Sequence, residues 1–172
     1  GVSGRPSTVD LPRYHRFAAT VDDIAYVFQT TDVHTAEDDG AGSYVFNTVD
    51  GSAVVPIYEG TRKAKTFLVG EFNEADVYMI PDISLDADSA LVTVTEGTTD
   101  TVFTNITAAT TISATSTIYI LKEAPNGFYQ LSFGGNGILG LSPAAGSTIT
   151  VDYISTKGAT ANTATGFTAT DT

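Results

Sequence analysis

At 172 residues the chain is long enough to bury a core, in one domain or two small ones. A hydrophobic content of 42% and a mean hydropathy of +0.07 exclude a disordered chain, and a net charge of −12 repels phosphate backbones and disfavours nucleic-acid binding. Cysteine is absent, which removes disulfides, thiolate metal sites and cysteine nucleophiles together.

Period-two patterns dominate, and no sustained helical period appears. The opening "GVSGRPSTVDLP" and the closing "GFTATDT" do not resemble natural termini, so Gly1 reads as a tag remnant and the chain as an excised fragment. "RFAATVDDIAYVFQT" (16–30) predicts a hairpin turning at Asp22-Asp23, with Tyr26 and Phe28 on one face. "GSYVFNTVDGSAVVPIYEG" (42–60) predicts two strands around Asp50-Gly51. The basic run "TRKAK" (61–65) reads as a solvated strand end or loop. "KTFLVG" and "VYMIPD" follow as strands, and Asp82–Ala90 has room for one helical turn at most.

In "ALVTVTE" (90–96) Val92 and Val94 face one way. "TSTIYILKE" (115–123) and "NGFYQLSF" (126–133) are strands joined through Pro125-Asn126-Gly127, and "STITVDYIST" (147–156) alternates again. The spacing predicts burial of Ile118 and Ile120, of Leu131 and Phe133, and of Ile149, Val151 and Tyr153. The expected fold is all-β, with roughly eight to twelve short antiparallel strands in a sandwich or barrel-like arrangement. The composition divides into a first β subdomain over 9–66, a second over 67–158 and an extended tail over 159–172. No apolar run approaches the length of a membrane span, and no signal peptide opens the chain.

Candidate chemistry is sparse. "FGGNGILGLSPAAG" follows a strand, but Pro143 and another strand come next, so the helix that a phosphate site needs is missing. Gly134, Gly135 and Gly137 are instead expected to supply a positive φ for a reversal. His15 and His34 are the only histidines, and each lacks a second ligand at helical spacing. Asp82, Asp86 and Asp88 superficially suggest a calcium loop but lack its central glycine and closing glutamate, so turn and capping roles are expected. "AEDDGAG" (36–42) reads as an exposed acidic loop. There is no G-x-S-x-G elbow, and the sequon Asn105-Ile106-Thr107 lacks a secretory context. The sequence therefore nominates no catalytic, cofactor-binding or metal-binding residue and no cofactor.

Longer stretches carry a resemblance. "TSTIYILKEAPNGFYQLSFGGNGILG" followed by "GSTITVDYISTKGATANTATGF" resembles the baseplate wedge protein, an inner-ring subunit, of T-even-like contractile-tailed phages. "LPRYHRFAATVDDIAYVF" (11–28) is similar to that family's Pro-x-Gly-Thr-x-Phe segment and following hairpin, and "MIPDISLDADSALVTV" (79–94) to its Asp-rich connection. The resemblance runs over most of residues 11–169. It departs at Tyr14-His15, where the family has Gly-Thr, and in the glycine loop, which is one residue longer here. It implies a structural role in a tail baseplate wedge, with other wedge proteins and another copy of the full-length subunit as partners, in the virion and, during assembly, in the host cytoplasm. The dimer contacts attributed to the family lie in a portion this chain lacks, so the fragment alone is expected to be a monomer or weak dimer, without nucleic-acid or membrane partners. The rival reading is a β-sandwich adhesin or carbohydrate-binding module using Tyr14, Tyr44, Tyr58, Tyr78 and Tyr129 as a platform, although tryptophan is absent. An enzyme is a distant third reading.

Overall fold

A computed structural model describes residues 4–46, 54–71, 76–135 and 139–170. The fold is all-β, as the alternation predicts. Its strands are β1 (Thr8–Leu11), β2 (Arg16–Val21), β3 (Ile24–Gln29), β4 (His34–Asp38), β5 (Tyr44–Phe46), β6 (Tyr58–Glu59) and β7 (Thr61–Leu68). There follow β8 (Tyr78–Ile80), β9 (Leu91–Glu96), β10 (Thr99–Asn105), β11 (Ile118–Glu123), β12 (Tyr129–Phe133), β13 (Thr148–Ser155) and β14 (Thr168–Thr170). The chain forms two compact units, one from residues 1–61 with 157–172 and the other from 62–156.

The first unit holds a three-stranded sheet, β1-β4-β5, and a four-stranded sheet, β14-β2-β3-β6. The β2–β3 hairpin turns where expected: Asp22 and Asp23 adopt φ of 49° and 63°, and Val21 pairs with Ile24. Positive φ at both central residues gives a turn whose twist matches the flanking strands. Tyr26 and Phe28 are buried with Ala19 and Ala161, and Phe167 meets Phe28 edge-on at 5.0 Å. The Asp50-Gly51 turn lies outside the described residues. The segments on either side of it do not form one hairpin, because β5 pairs with β4 and β6 with β3. The C-terminal residues, expected to be extended, make a 3-10 turn over Ala159–Thr163, and β14 then pairs with β2.

Tyr14 has φ of 64°, the left-handed region that favours glycine. Its N–H donates to the Thr30 carbonyl at 2.9 Å. The Thr30 hydroxyl donates to the Pro12 carbonyl at 2.7 Å and accepts from the His15 N–H at 3.0 Å. These bonds hold the strained turn in place.

The second unit is one seven-stranded sheet, ordered β7-β13-β9-β10-β11-β12-β8. The ladders β13–β9, β9–β10, β11–β12 and β12–β8 are antiparallel, whereas β10 and β11 pair parallel through Thr104↔Ile118 and Asn105↔Tyr119. A parallel pair needs a crossover, supplied here by residues 106–117. The end strands β7 and β8 come back together, with the rings of Phe67 and Tyr78 5.3 Å apart, so the sheet is a nearly closed barrel. Tyr78 meets Phe133 at 6.1 Å, and Phe133 meets Phe103 edge-on at 5.2 Å, a chain of rings through the interior. Val92, Val94, Leu131, Ile149 and Val151 complete the core.

Packing corrects the expected face of β11, although Ile118 is buried as expected. Tyr119 and Leu121 face the barrel core, opposite Phe133 and Leu131, whereas Ile120 is only half-buried on the outer side. Ile118 is buried outside that cluster, close to Gly140. The predicted inward residues of β12 and β13 are buried as expected. The glycine loop is also corrected in part, with Gly137 outside the described residues. Gly134 is not left-handed; it is required because a Cβ there would overlap the Leu139 carbonyl. Gly140, with φ of 83°, takes the left-handed role.

Val151 is fully buried and sits opposite Val92. Val151→Asp should lower the unfolding free energy by roughly 3–5 kcal/mol in denaturant melts, since it places an unpaired charge in the core. Gly134→Ala should destabilise by more than about 1 kcal/mol in the same melts, because backbone must move to admit the methyl. An unchanged midpoint in either variant contradicts the assigned packing.

Candidate functional site

The richest polar grouping gathers where β7, β13 and the turn after β8 meet. The Lys63 ammonium lies 2.8 Å from an Asp82 carboxylate oxygen, and the Tyr153 hydroxyl donates to the same oxygen at 3.2 Å. The Ser84 N–H donates to the other Asp82 oxygen at 3.0 Å, an Asx turn that follows directly from the Asp-x-Ser sequence. Alongside, the Arg62 Nε and Nη2 groups donate to one oxygen of Asp152 at 2.9 and 2.6 Å. Asp152 is buried, and this bridge supplies a counter-charge where a lone carboxylate would be costly.

Burial alone would push the Asp82 carboxyl up, but the Lys63 contact, the Ser84 N–H and the Ser155 side chain outweigh it and hold it below the ordinary carboxylate range. Burial pushes the Tyr153 phenol up to about 12, reinforced by the neighbouring Asp82 charge and its hydrogen bond. The grouping has no nucleophile activated by a base. Its chemistry is that of a clasp.

The remaining sequence candidates are dispersed. The Asp86 carboxylate accepts from the Asp88 N–H at 3.1 Å and caps the 3-10 turn Ala87–Ser89. The Asp82 and Asp86 side chains thus serve turns, Asp88 contributing its N–H to the second, and among the described residues no three metal-ligating side chains converge. The His15 ring packs edge-on against Phe17 at 5.2 Å, whereas His34 lies on β4 opposite Leu11. The stretch 36–42, expected as an exposed acidic loop, is corrected at its start: Ala36–Asp38 belong to β4, and Ala36 is fully buried. Beyond the strand, Asp39 accepts from the Ser43 and Ala41 N–H groups, which lower its pKa. The Asn105 side chain accepts from the N–H and hydroxyl of Thr107, and so caps its own turn.

Tyr78 and Tyr129 pack against the barrel core; Tyr44 donates to the Pro6 carbonyl beneath the Arg5 guanidinium, and Tyr58 pairs with Gln29. A cleft of about 270 Å³ beside Phe103 and Tyr119 is lined otherwise by Ala, Thr, Asn and Asp88, without a histidine or base pair. Sequence reasoning missed Lys63, Arg62, Asp152 and Tyr153 as a polar group, because their partners are distant in sequence. The available signal was a basic run on a strand in an acidic chain.

Comparison with known proteins gives one informative similarity. The chain is 41% identical over 73 residues to baseplate wedge protein gp6 of Enterobacteria phage T4. The match takes in 34% of this chain, less than the span of the motif resemblance, and 11% of that protein's length. No protein-family model matches.

Asp82 has a depressed folded-state pKa, so its contribution to stability is present above the unfolded carboxylate value of ~3.9 and is lost as pH falls through the folded value. Asp82→Asn should therefore flatten the fall in melting temperature below about pH 4. Tyr153 has a raised pKa, so its neutral form stabilises the fold up to ordinary tyrosine pH and loses that contribution between ~10 and about 12. Tyr153→Phe should remove this alkaline loss. Melting curves from pH 2 to 12 check both, and parallel profiles for parent and variants would contradict the clasp.

Proposed function

We propose that the chain is a piece of a structural subunit of a phage tail baseplate wedge, of the inner-ring type, which holds neighbouring wedge proteins in register in a contractile tail. The observation that carries this reading is the 41% identity over 73 residues to a baseplate wedge protein. The all-β fold, two units of short sheets, supports it, and the Asp82, Asp86 and Asn105 side chains serve turns and caps. In this reading the role is mechanical rather than enzymatic. The partners are other wedge proteins and another copy of the full-length subunit, in the virion and, before that, in the host cytoplasm where tails assemble.

Immunogold labelling tests the assignment. Antibodies raised against the chain should label intact virions of the encoding phage at the baseplate end of the tail. Label confined to fibre tips would favour an adhesin or sugar-binding module, and virions without label would remove the structural role altogether.

A further inference from the structure

The crossover between β10 and β11 borders two adjoining clefts, of about 270 and 390 Å³, which share Thr104 and Ala108 in their walls. The strands pair there through only two residues each, and the crossover runs on beside them. Together the clefts form a groove from Asp88, in the turn after β8, past Asn105 to Thr111 and Thr115. Phe103 and Tyr119, both buried, back its smaller end.

A single charge lies in this lining. From Thr101 to Leu121 the sequence carries no charged residue, so Asp88 stands alone among alanine methyls and threonine hydroxyls. Its N–H is committed to Asp86, but its carboxylate makes no hydrogen bond or ion pair among the described residues. Neighbouring carboxylates deepen the negative field. Burial raises the Tyr129 phenol pKa, and the charges of Glu123, Asp86 and Asp88 raise it further, so all three share its surroundings. Asn105 adds a second kind of contact. Its carboxamide oxygen is taken by the Thr107 N–H and hydroxyl, which leaves its Nδ2 group to donate. The groove thus offers an acceptor for one cation, a donor for a carbonyl, and uncharged walls beyond them.

We propose that this groove binds an extended segment of another protein, in which one lysine or arginine stands among small uncharged residues. The basic side chain would meet Asp88, a backbone carbonyl would accept from Asn105, and the residues beyond would lie along Thr104 and the crossover. A second copy is a poorer source. Of this chain's own basic residues in uncharged stretches, Arg5 is held by Asp38 and the Tyr44 ring, and Lys157 lies over the Tyr26 ring. The proposal goes beyond the assembly reading, since the segment need not belong to a wedge protein, and its test is read on the isolated chain.

The probe is a capped peptide of alanine and threonine around one arginine, with glutamine in place of the arginine as control, titrated against the whole chain and followed by amide NMR. The arginine peptide should bind saturably and shift the amides of Asp88, Asn105, Thr107 and Ala108. The glutamine peptide should bind about fivefold or more weakly. Asp88→Asn should weaken the arginine peptide by a similar factor without unfolding the chain, because only the N–H of Asp88 serves the turn. Absence of saturable binding, shifts centred on other acidic residues, or affinity indifferent to Asp88→Asn overturns the proposal. Butylammonium that binds as tightly as the peptide overturns it too, by assigning the groove to a free amine. Should Asp88→Asn fail to fold, the contrast between the two peptides on the unmodified chain decides.

Discussion

Strand β13 is sealed on both sides, and the second unit is built around that fact. From Val151 to Ile154 every residue is buried, which ordinary alternation does not produce. Val151 and Tyr153 point into the barrel, whereas Ile154 is covered from outside by the turn that carries Ser89. The Ile154 N–H donates to the Ser89 hydroxyl at 2.8 Å and its carbonyl accepts from the Asp86 N–H at 2.9 Å. The same strand supplies Asp152 to Arg62 and Tyr153 to Asp82. Ladder, core and ion pairs thus converge on one segment, and a charge introduced there is opposed from every direction.

This convergence explains why parts of the fold were legible from sequence and others were not. Strands with one apolar face, such as β9 with Val92 and Val94, read directly from alternation. In β11 the residues Ile118, Tyr119, Ile120 and Leu121 are all apolar, so period two cannot choose a face, and the register came out shifted by one. Strand β10 escaped notice because Thr and Asp dominate it and Phe103 is its one deeply buried residue. β1 and β4 were hidden in the same way by polar composition. The turns, by contrast, were local: Asp22-Asp23 and Pro125-Asn126-Gly127 carry their own geometry.

The polar residues followed the same division. Asp82, Asp86 and Asp88 could be given turn and cap roles from sequence, because an Asx turn spans two residues. That Lys63 would lie against Asp82, and Arg62 against Asp152, depends on the barrel's closing and on strand pairing across 90 residues in the second case. Tyr14 is a milder instance: its left-handed φ is held by Thr30, a partner that the local sequence does not reveal.

The interleaving of the two units along the chain orders their appearance during synthesis. Residues 62–156 are continuous, so every strand of the barrel can pair as soon as that stretch has left the ribosome. The first unit is split, and its core waits for Ala161, and its four-stranded sheet for β14, both encoded after the barrel. For the time needed to translate the barrel, β2 and β3 stand as a hairpin that lacks its final neighbour. Loop closure over such a separation is slow relative to local pairing. The barrel is therefore poised to mature first, and the unit that begins the chain to be finished last.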